Sequence, residues 1–126
     1  MFRHDVVSGV ARGDRILPAA RLDGRIAGTV QVVFAGPQNQ PHRADVAKML
    51  VHGKARRQGI GAALMTAAES AARKAGKTLL VLDTASDDAA RLYERAGWTR
   101  AGVIPDYALL PHGGLCDTTI YYRRLG

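Results

Sequence analysis

The 126-residue sequence has little of several things at once: one cysteine, one tryptophan, two phenylalanines, four tyrosines, and 11 acidic residues against 18 Lys and Arg. A single thiol, Cys116, cannot close an internal disulfide, so a disulfide-stapled secreted scaffold is excluded. The longest aliphatic run, Leu79-Leu80-Val81-Leu82, is far below the ~20 residues a membrane-spanning helix needs, and Met1-Phe2-Arg3-His4-Asp5 leads into no signal-peptide core. Glycine (14) and proline (5) follow no repeat period, which excludes fibrous classes. His4, His42, His52 and His112 are scattered without ligand spacing, so no metal is expected. With 47% hydrophobic and 23% charged residues, the chain reads as one soluble cytoplasmic domain, 1–126, with no membrane partner.

The basic excess is concentrated. Between Lys48 and Lys77 there are seven basic residues (Lys48, Lys54, Arg56, Arg57, Arg73, Lys74, Lys77) and one acid, Glu69, which leaves the rest of a chain of net charge +7 nearly neutral. That distribution points to an anion held locally rather than to a polyanion wrapped around the whole surface. A basic nucleic-acid-binding module is the reading from another class; with 6% aromatic residues and no nucleic-acid motif it is disfavoured, and no nucleic-acid partner is expected.

Phe2, Val6, Val7 and Val10 recur at helical spacing before Gly13 and predict a short helix over 3–12. Runs 15–22 and 25–34 read as strands joined by the Asp23-Gly24 hairpin turn. Gly36 to Pro41 reads as a loop, and 44–51 as a third strand. Ile60, Leu64, Ala67, Ala68, Ala71 and Ala75 mark one helix face ending at Gly76. Residues 78–83 are a buried strand, completing a strand-helix-strand unit with a right-handed crossover. A second helix is expected over about 87–96, and antiparallel strands over 98–103 and 118–122.

Arg56-Arg57-Gln58-Gly59-Ile60-Gly61 lies between a strand and the first turn of a helix, where free amides and the helix dipole favour an anion such as phosphate. On spacing alone, a surface turn with incidental arginines stays open. A Walker A loop from Gly53 would need Gly at 58 followed by Lys and Ser/Thr, and the chain has Gln58, Gly59, Ile60. A dinucleotide fingerprint from Gly59 would need glycine where Leu64 stands.

The pattern Arg/Gln-x-x-Gly-x-Gly/Ala over Arg56 to Gly61, preceded by Met49-Leu50-Val51-His52 and followed by Ala90-Arg91-Leu92-Tyr93-Glu94-Arg95-Ala96-Gly97-Trp98, resembles the GNAT superfamily of acetyl-CoA-dependent N-acetyltransferases over about residues 15 to 124. Leu82-Asp83-Thr84, Gly97-Trp98, Ile104 to Ala108, Gly114 and Tyr121-Tyr122 look like the subgroup of tabtoxin-resistance acetyltransferases. The resemblance implies an α/β fold, a mixed and mostly antiparallel sheet flanked by helices. The resemblance implies an N-terminus shortened relative to the family, whose fold usually opens with a strand and a helix before a second helix. That shortening allows a truncated chain, a neighbouring subunit filling the gap in a homodimer, or CoA binding without efficient catalysis.

The resemblance also implies acetyl-CoA as cosubstrate and transfer of its acetyl group to a primary amine of a small-molecule partner, with a protein N-terminus or lysine as the alternative acceptor. Met49, Leu50 and Val51 would bind the pantetheine arm through strand backbone, with an amide near Leu50 or Val51 as oxyanion donor. Arg56, Arg57, Gln58, Gly59, Ile60, Gly61 and Ala62 would hold the pyrophosphate, between strands splayed to admit the cofactor. Valine at Gly61 is expected to block that approach with the fold intact. Ser86 stands where many relatives place a cofactor-contacting Asn. Tyr93 matches the family's general acid, against the alternative of a core aromatic. For the base, Asp83 is the first choice and His52 the second; Asp106 and Tyr107, in the loop before the last strand, are candidates to contact the acceptor.

Overall fold

The computed structural model describes residues 4–12 as backbone and residues 14–36, 38–53 and 59–126 in full. The elements in order are β1 (His4–Arg12), β2 (Arg15–Leu22), β3 (Arg25–Phe34), β4 (Arg43–Val51), α1 (Ile60–Lys74), β5 (Leu79–Thr84), α2 (Asp87–Arg95), β6 (Thr99–Leu109) and β7 (Leu115–Arg124). They form a seven-stranded sheet in the order β1-β2-β3-β4-β5-β7-β6. Only β4 and β5 are parallel, as a strand-helix-strand crossover requires.

The helix expected over 3–12 is instead β1, antiparallel to β2 from His4↔Leu22 to Arg12↔Arg15. Three valines favour extended backbone, and the β2 edge supplies ladder bonds that outweigh a helix of under three turns. A bulge between Ser8 and Ala11 interrupts the two-residue period that signals a strand. The Asp23-Gly24 turn forms as expected, with φ of 52° and 82° at its two residues and Leu22 opposite Arg25. β6 and β7 are longer than their apolar patterns indicated, so Asp106 and Tyr107 lie within a strand and not in a loop. Pro105 and a register shift between Ile104 and Ala108 hide that continuity. Asp106 takes φ 53° there, and its N–H donates to Asp117 Oδ1 at 3.0 Å.

One sheet face is covered by helices. Val30, Val32, Ala44, Val46, Leu80 and Leu82 bury against Ile60, Leu64, Met65, Ala68 and Ala72 of α1. α2 packs alongside, with Tyr93 against Tyr121 of β7. Among the described residues no helix lies on the other face, where the pairing places Gln31, Val33, Asp45, Ala47, Val81 and Tyr122, all half-buried. Arg123 fastens the helical layer: its Nε donates to Glu69 Oε1 of α1 at 2.7 Å and its Nη1 to the Gly97 carbonyl after α2 at 2.8 Å.

Close packing at Gly28 seats the start of α1. A Cβ there would lie 2.9 Å from the Leu50 carbonyl oxygen, 3.0 Å from Leu64 Cδ1 and 3.1 Å from Ile60 Cγ2. Since the nearest atom is strand backbone, Gly28→Ala forces β3 and β4 apart and should cost about 1–3 kcal/mol, the usual scale of overpacking. Chemical denaturation should show a lower midpoint at unchanged m-value; an unshifted midpoint would contradict this packing.

Candidate functional site

The central feature of the site is a gap in the sheet. β4 and β5 pair only over Arg43↔Leu79, Ala44↔Leu80 and Asp45↔Val81, although β4 continues to Val51 and β5 to Thr84. A bulge in β4 separates them: Thr29 pairs with Leu50 but Gln31 with Ala47, so Lys48 and Met49 together oppose Val30. Lys48 takes φ 51° to accommodate it. Bulges bend a strand and increase its twist, which turns β4 away from β5 and leaves the amides on that edge beyond Asp45 without a strand partner among the described residues. The segment Met49, Leu50 and Val51 runs along this edge; Met49 faces the cleft described below, Leu50 is exposed and Val51 half-buried.

α1 begins at this gap. Its N-cap is Gly59, at φ 76°, with no side-chain cap and no acid in the first turn, while Arg73 and Lys74 occupy the last. Among the described residues no side chain compensates the free amides and the dipole of roughly half a positive charge at this end. Ile60, 1% exposed, anchors the first turn in the core, and Ala62 faces outward. α2 differs: Ser86 Oγ accepts from the Ala89 N–H at 3.2 Å, and Asp87 and Asp88 fill its first turn. The expected site residue Ser86 therefore caps its own helix. Arg56, Arg57 and Gln58 lie outside the described residues.

Gly61 has a second role. A Cβ at this position would sit 3.0 Å from Leu92 Cδ2, so the missing side chain brings α1 against α2. The expectation that valine at Gly61 would act on ligand approach alone is corrected: the substitution also disturbs helix packing.

A cleft of about 510 Å³ opens between Val46 to Met49 of β4, Asp83 to Ser86, Tyr93 of α2, and the part of β6 and β7 that overhangs the end of β5. A second hollow of about 350 Å³ adjoins it and shares Asp83, Tyr107 and Thr118. Tyr93 is 6% exposed, its ring held between Trp98 at 6.1 Å and Tyr121 at 5.9 Å. The Tyr121 hydroxyl donates to Glu94 Oε2 at 2.9 Å, whereas the Tyr93 hydroxyl has no hydrogen-bond partner among the described residues. Burial first, and the Asp83 carboxylate second, push the Tyr93 phenol above its ordinary value of about 10.

Asp83 stands exposed at the end of β5, its Oδ2 accepting from the Thr118 hydroxyl at 2.7 Å. The two residues assigned to acid and base thus face one cleft. His52 does not join them: its side chain is exposed and lines neither hollow, and its N–H donates to the Ala27 carbonyl at 2.7 Å. Tyr107 lines both hollows, whereas Asp106 serves through its backbone. Sequence reasoning missed Lys48, Asp117 and Thr118, which reach the cleft only because of the β4 bulge and the β6–β7 overhang; no local pattern signals them.

Residues 5–98 match the Acetyltransferase (GNAT) family. In fold, the chain is similar to an acetyltransferase of the GNAT family from Streptococcus pneumoniae, at 23% identity and TM-score 0.80, over 90% of this chain and 69% of that one. It is also similar to yncA from Salmonella typhimurium, an acetyltransferase by assignment solved with its cofactor acetyl-CoA, at 21% identity and TM-score 0.80, over 89% and 65%. A ribosomal-protein-alanine N-acetyltransferase from Brucella melitensis matches at 20% identity and TM-score 0.78, over 88% and 69%. The chain spans about two thirds of the length of these structures. The solved structures share its fold, a mixed sheet flanked by helices, and with the family match covering most of its length the chain belongs to the GNAT acetyltransferase family.

The environment of Tyr93 predicts a late phenol ionisation. The unfolded chain ionises this group near 10 and the folded chain at a higher value, so the stability it contributes is present below pH 10 and is lost as pH rises through the folded value. The phenolate absorbance difference between wild type and Tyr93→Phe should appear above pH 10; a difference centred at or below 10 would refute the burial argument.

Proposed function

We propose that the chain transfers an acetyl group from acetyl-CoA to a primary amine of a small molecule by direct attack in a ternary complex. The observation that carries the reading is a buried, unpartnered phenol facing a cleft at the mouth of a split sheet, beside a helix start that the protein leaves uncapped. The residues fit the cosubstrate. The free amides of Gly59 to Ala62 suit a pyrophosphate, and the unpaired edge at Met49, Leu50 and Val51 suits the amide-bearing pantetheine arm. Arg56, Arg57 and Gln58, as phosphate contacts, and Ser86, as a hydroxyl donor beside the arm, complete the assignment. The cleft's 510 Å³ lies within the ~300–1,000 Å³ of small-molecule sites, which favours a small amine over a protein segment as acceptor.

When bound, acetyl-CoA supplies the acetyl group as an activated thioester. The β4 edge amides are fixed donors for the oxyanion that develops on acyl transfer; one such donor is typically worth ~10²–10³ in rate. Asp83 Oδ1, which Thr118 does not occupy, is placed to accept a proton from an incoming ammonium whose pKa near 10.4 keeps it charged at neutral pH. Tyr93 holds its proton more tightly than a thiol of pKa about 8.5 does. Its role is therefore a hydrogen bond to the departing sulfur; any proton it gives as the bond to carbon breaks is replaced by the one the acylated nitrogen releases.

Ala62→Glu tests the binding half. Glutamate at the third helical position suits the dipole and keeps the fold, but sets a carboxylate against the pyrophosphate. Calorimetric acetyl-CoA affinity should fall at least about tenfold, about 1.4 kcal/mol; undiminished affinity would remove the phosphate assignment. For chemistry, Tyr93→Phe should keep acetyl-CoA binding while amine-dependent thiol release falls by ~10²-fold. Normal turnover in that variant would leave Tyr93 a core aromatic.

A further inference from the structure

Among the described residues, the charged groups facing the cleft are Asp83, Asp117 and Lys48. Elsewhere Asp45, Glu69 and Asp88 are each ion-paired, with Arg43, Arg123 and Arg91. Asp83 and Asp117 are in no ion pair among the described residues, and each is held through one oxygen only, Asp83 Oδ2 by the Thr118 hydroxyl at 2.7 Å and Asp117 Oδ1 by the Asp106 N–H at 3.0 Å. One oxygen of each carboxylate is therefore unengaged, in a chain whose net charge is +7. The Asp106 bulge that orients Asp117 also sets Tyr107 over the cleft, 55% exposed, where an aromatic face adds attraction for a cation. The same cleft contains the 6% exposed Tyr93 and its unpartnered hydroxyl, so the thioester carbon that the nitrogen attacks would lie within this cleft.

We infer that the acceptor is a short diamine, its reacting nitrogen at Asp83 and Tyr93 and its second, charged nitrogen held by Asp117 and Tyr107. This rests on the acetyl-transfer reading above and narrows its acceptor. Two preoriented carboxylates in one cleft would each take one cationic end, and a charge-assisted hydrogen bond is the strong kind. Lys48 is the opposing group, since it would favour an acceptor ending in a carboxylate.

Three amines with one four-carbon stem separate these outcomes: 1,4-diaminobutane, butylamine and 4-aminobutyrate carry a positive, neutral or negative far end. Each is titrated calorimetrically into the full chain loaded with CoA, so that binding is read without turnover. The diamine should bind about tenfold tighter than butylamine, the scale of one added charge-assisted contact, and 4-aminobutyrate more weakly than either. Asp117→Asn keeps a carbonyl oxygen for the Asp106 N–H but removes the charge, and should bring the diamine-to-butylamine ratio close to one. In the wild type the same ratio should shrink as salt rises from about 0.05 to 0.5 M, because screening weakens a charge contact. Equal affinities, tighter 4-aminobutyrate, or a ratio insensitive to both Asp117→Asn and salt would overturn the inference. Tight diamine binding with no thiol release from acetyl-CoA would count against acetyl transfer and leave this binding site standing.

Discussion

The placement of one extra residue in β4 governs this site. Opposite Val30 the strand holds both Lys48 and Met49, and the bend that follows ends its parallel pairing with β5 after Asp45. A continuous β4–β5 ladder would satisfy the edge amides and close the cleft. Burial of unpaired backbone donors is costly, so a fold that keeps such an edge open retains hydrogen-bonding capacity that a ligand can use. Gly28 contributes from the next strand, since only its missing side chain lets the Leu50 carbonyl, Leu64 and Ile60 come so close. The start of α1 is thereby held at the mouth of the gap.

The two helices share one face of the sheet but present opposite electrostatic ends. α1 starts at Gly59 with neither cap nor acid, and α2 starts with Ser86, Asp87 and Asp88. An anion is favoured at the first and repelled at the second. The carboxylates of Asp83 and Asp117 share their cleft with Lys48, the first residue of the basic segment.

Rigidity around Tyr93 comes from packing. Its ring lies between Trp98 and Tyr121, and Arg123 ties the Gly97 turn to Glu69 on α1, so the helix that positions the phenol is fixed at its C-terminal end. A Cβ at Gly97 would fall 2.3 Å from Arg123 Nη1, the movable end of a long side chain, so it is the φ of 91° that calls for glycine there. Trp98 Nε1 is buried with no hydrogen-bond partner; its burial is explained by the aromatic stack, and nothing in the structure explains the orphaned donor.

Much of this was legible in the residues themselves. The Asp23-Gly24 turn, the helix from Ile60 to Gly76, the buried strand at Leu79 to Leu82 and the glycine-led helix start are local: each depends on periodicity, turn chemistry or capping within a few positions. Tyr93 and Asp83 could be singled out because they sit at fixed offsets from those elements, and the fold brings both to one cleft. Three things were decided only by tertiary contacts. β1 is a strand because the β2 edge was available to pair with valines whose spacing alone matched a helix. Gly61 lacks a side chain where Leu92 packs, a contact between residues 31 positions apart. Asp117, Thr118 and Lys48 reach the cleft because a bulge in β4 and another in β6 turn strands whose pairing partners lie far off in sequence. Pairing register is a property of two segments at once, and no window along one of them contains it.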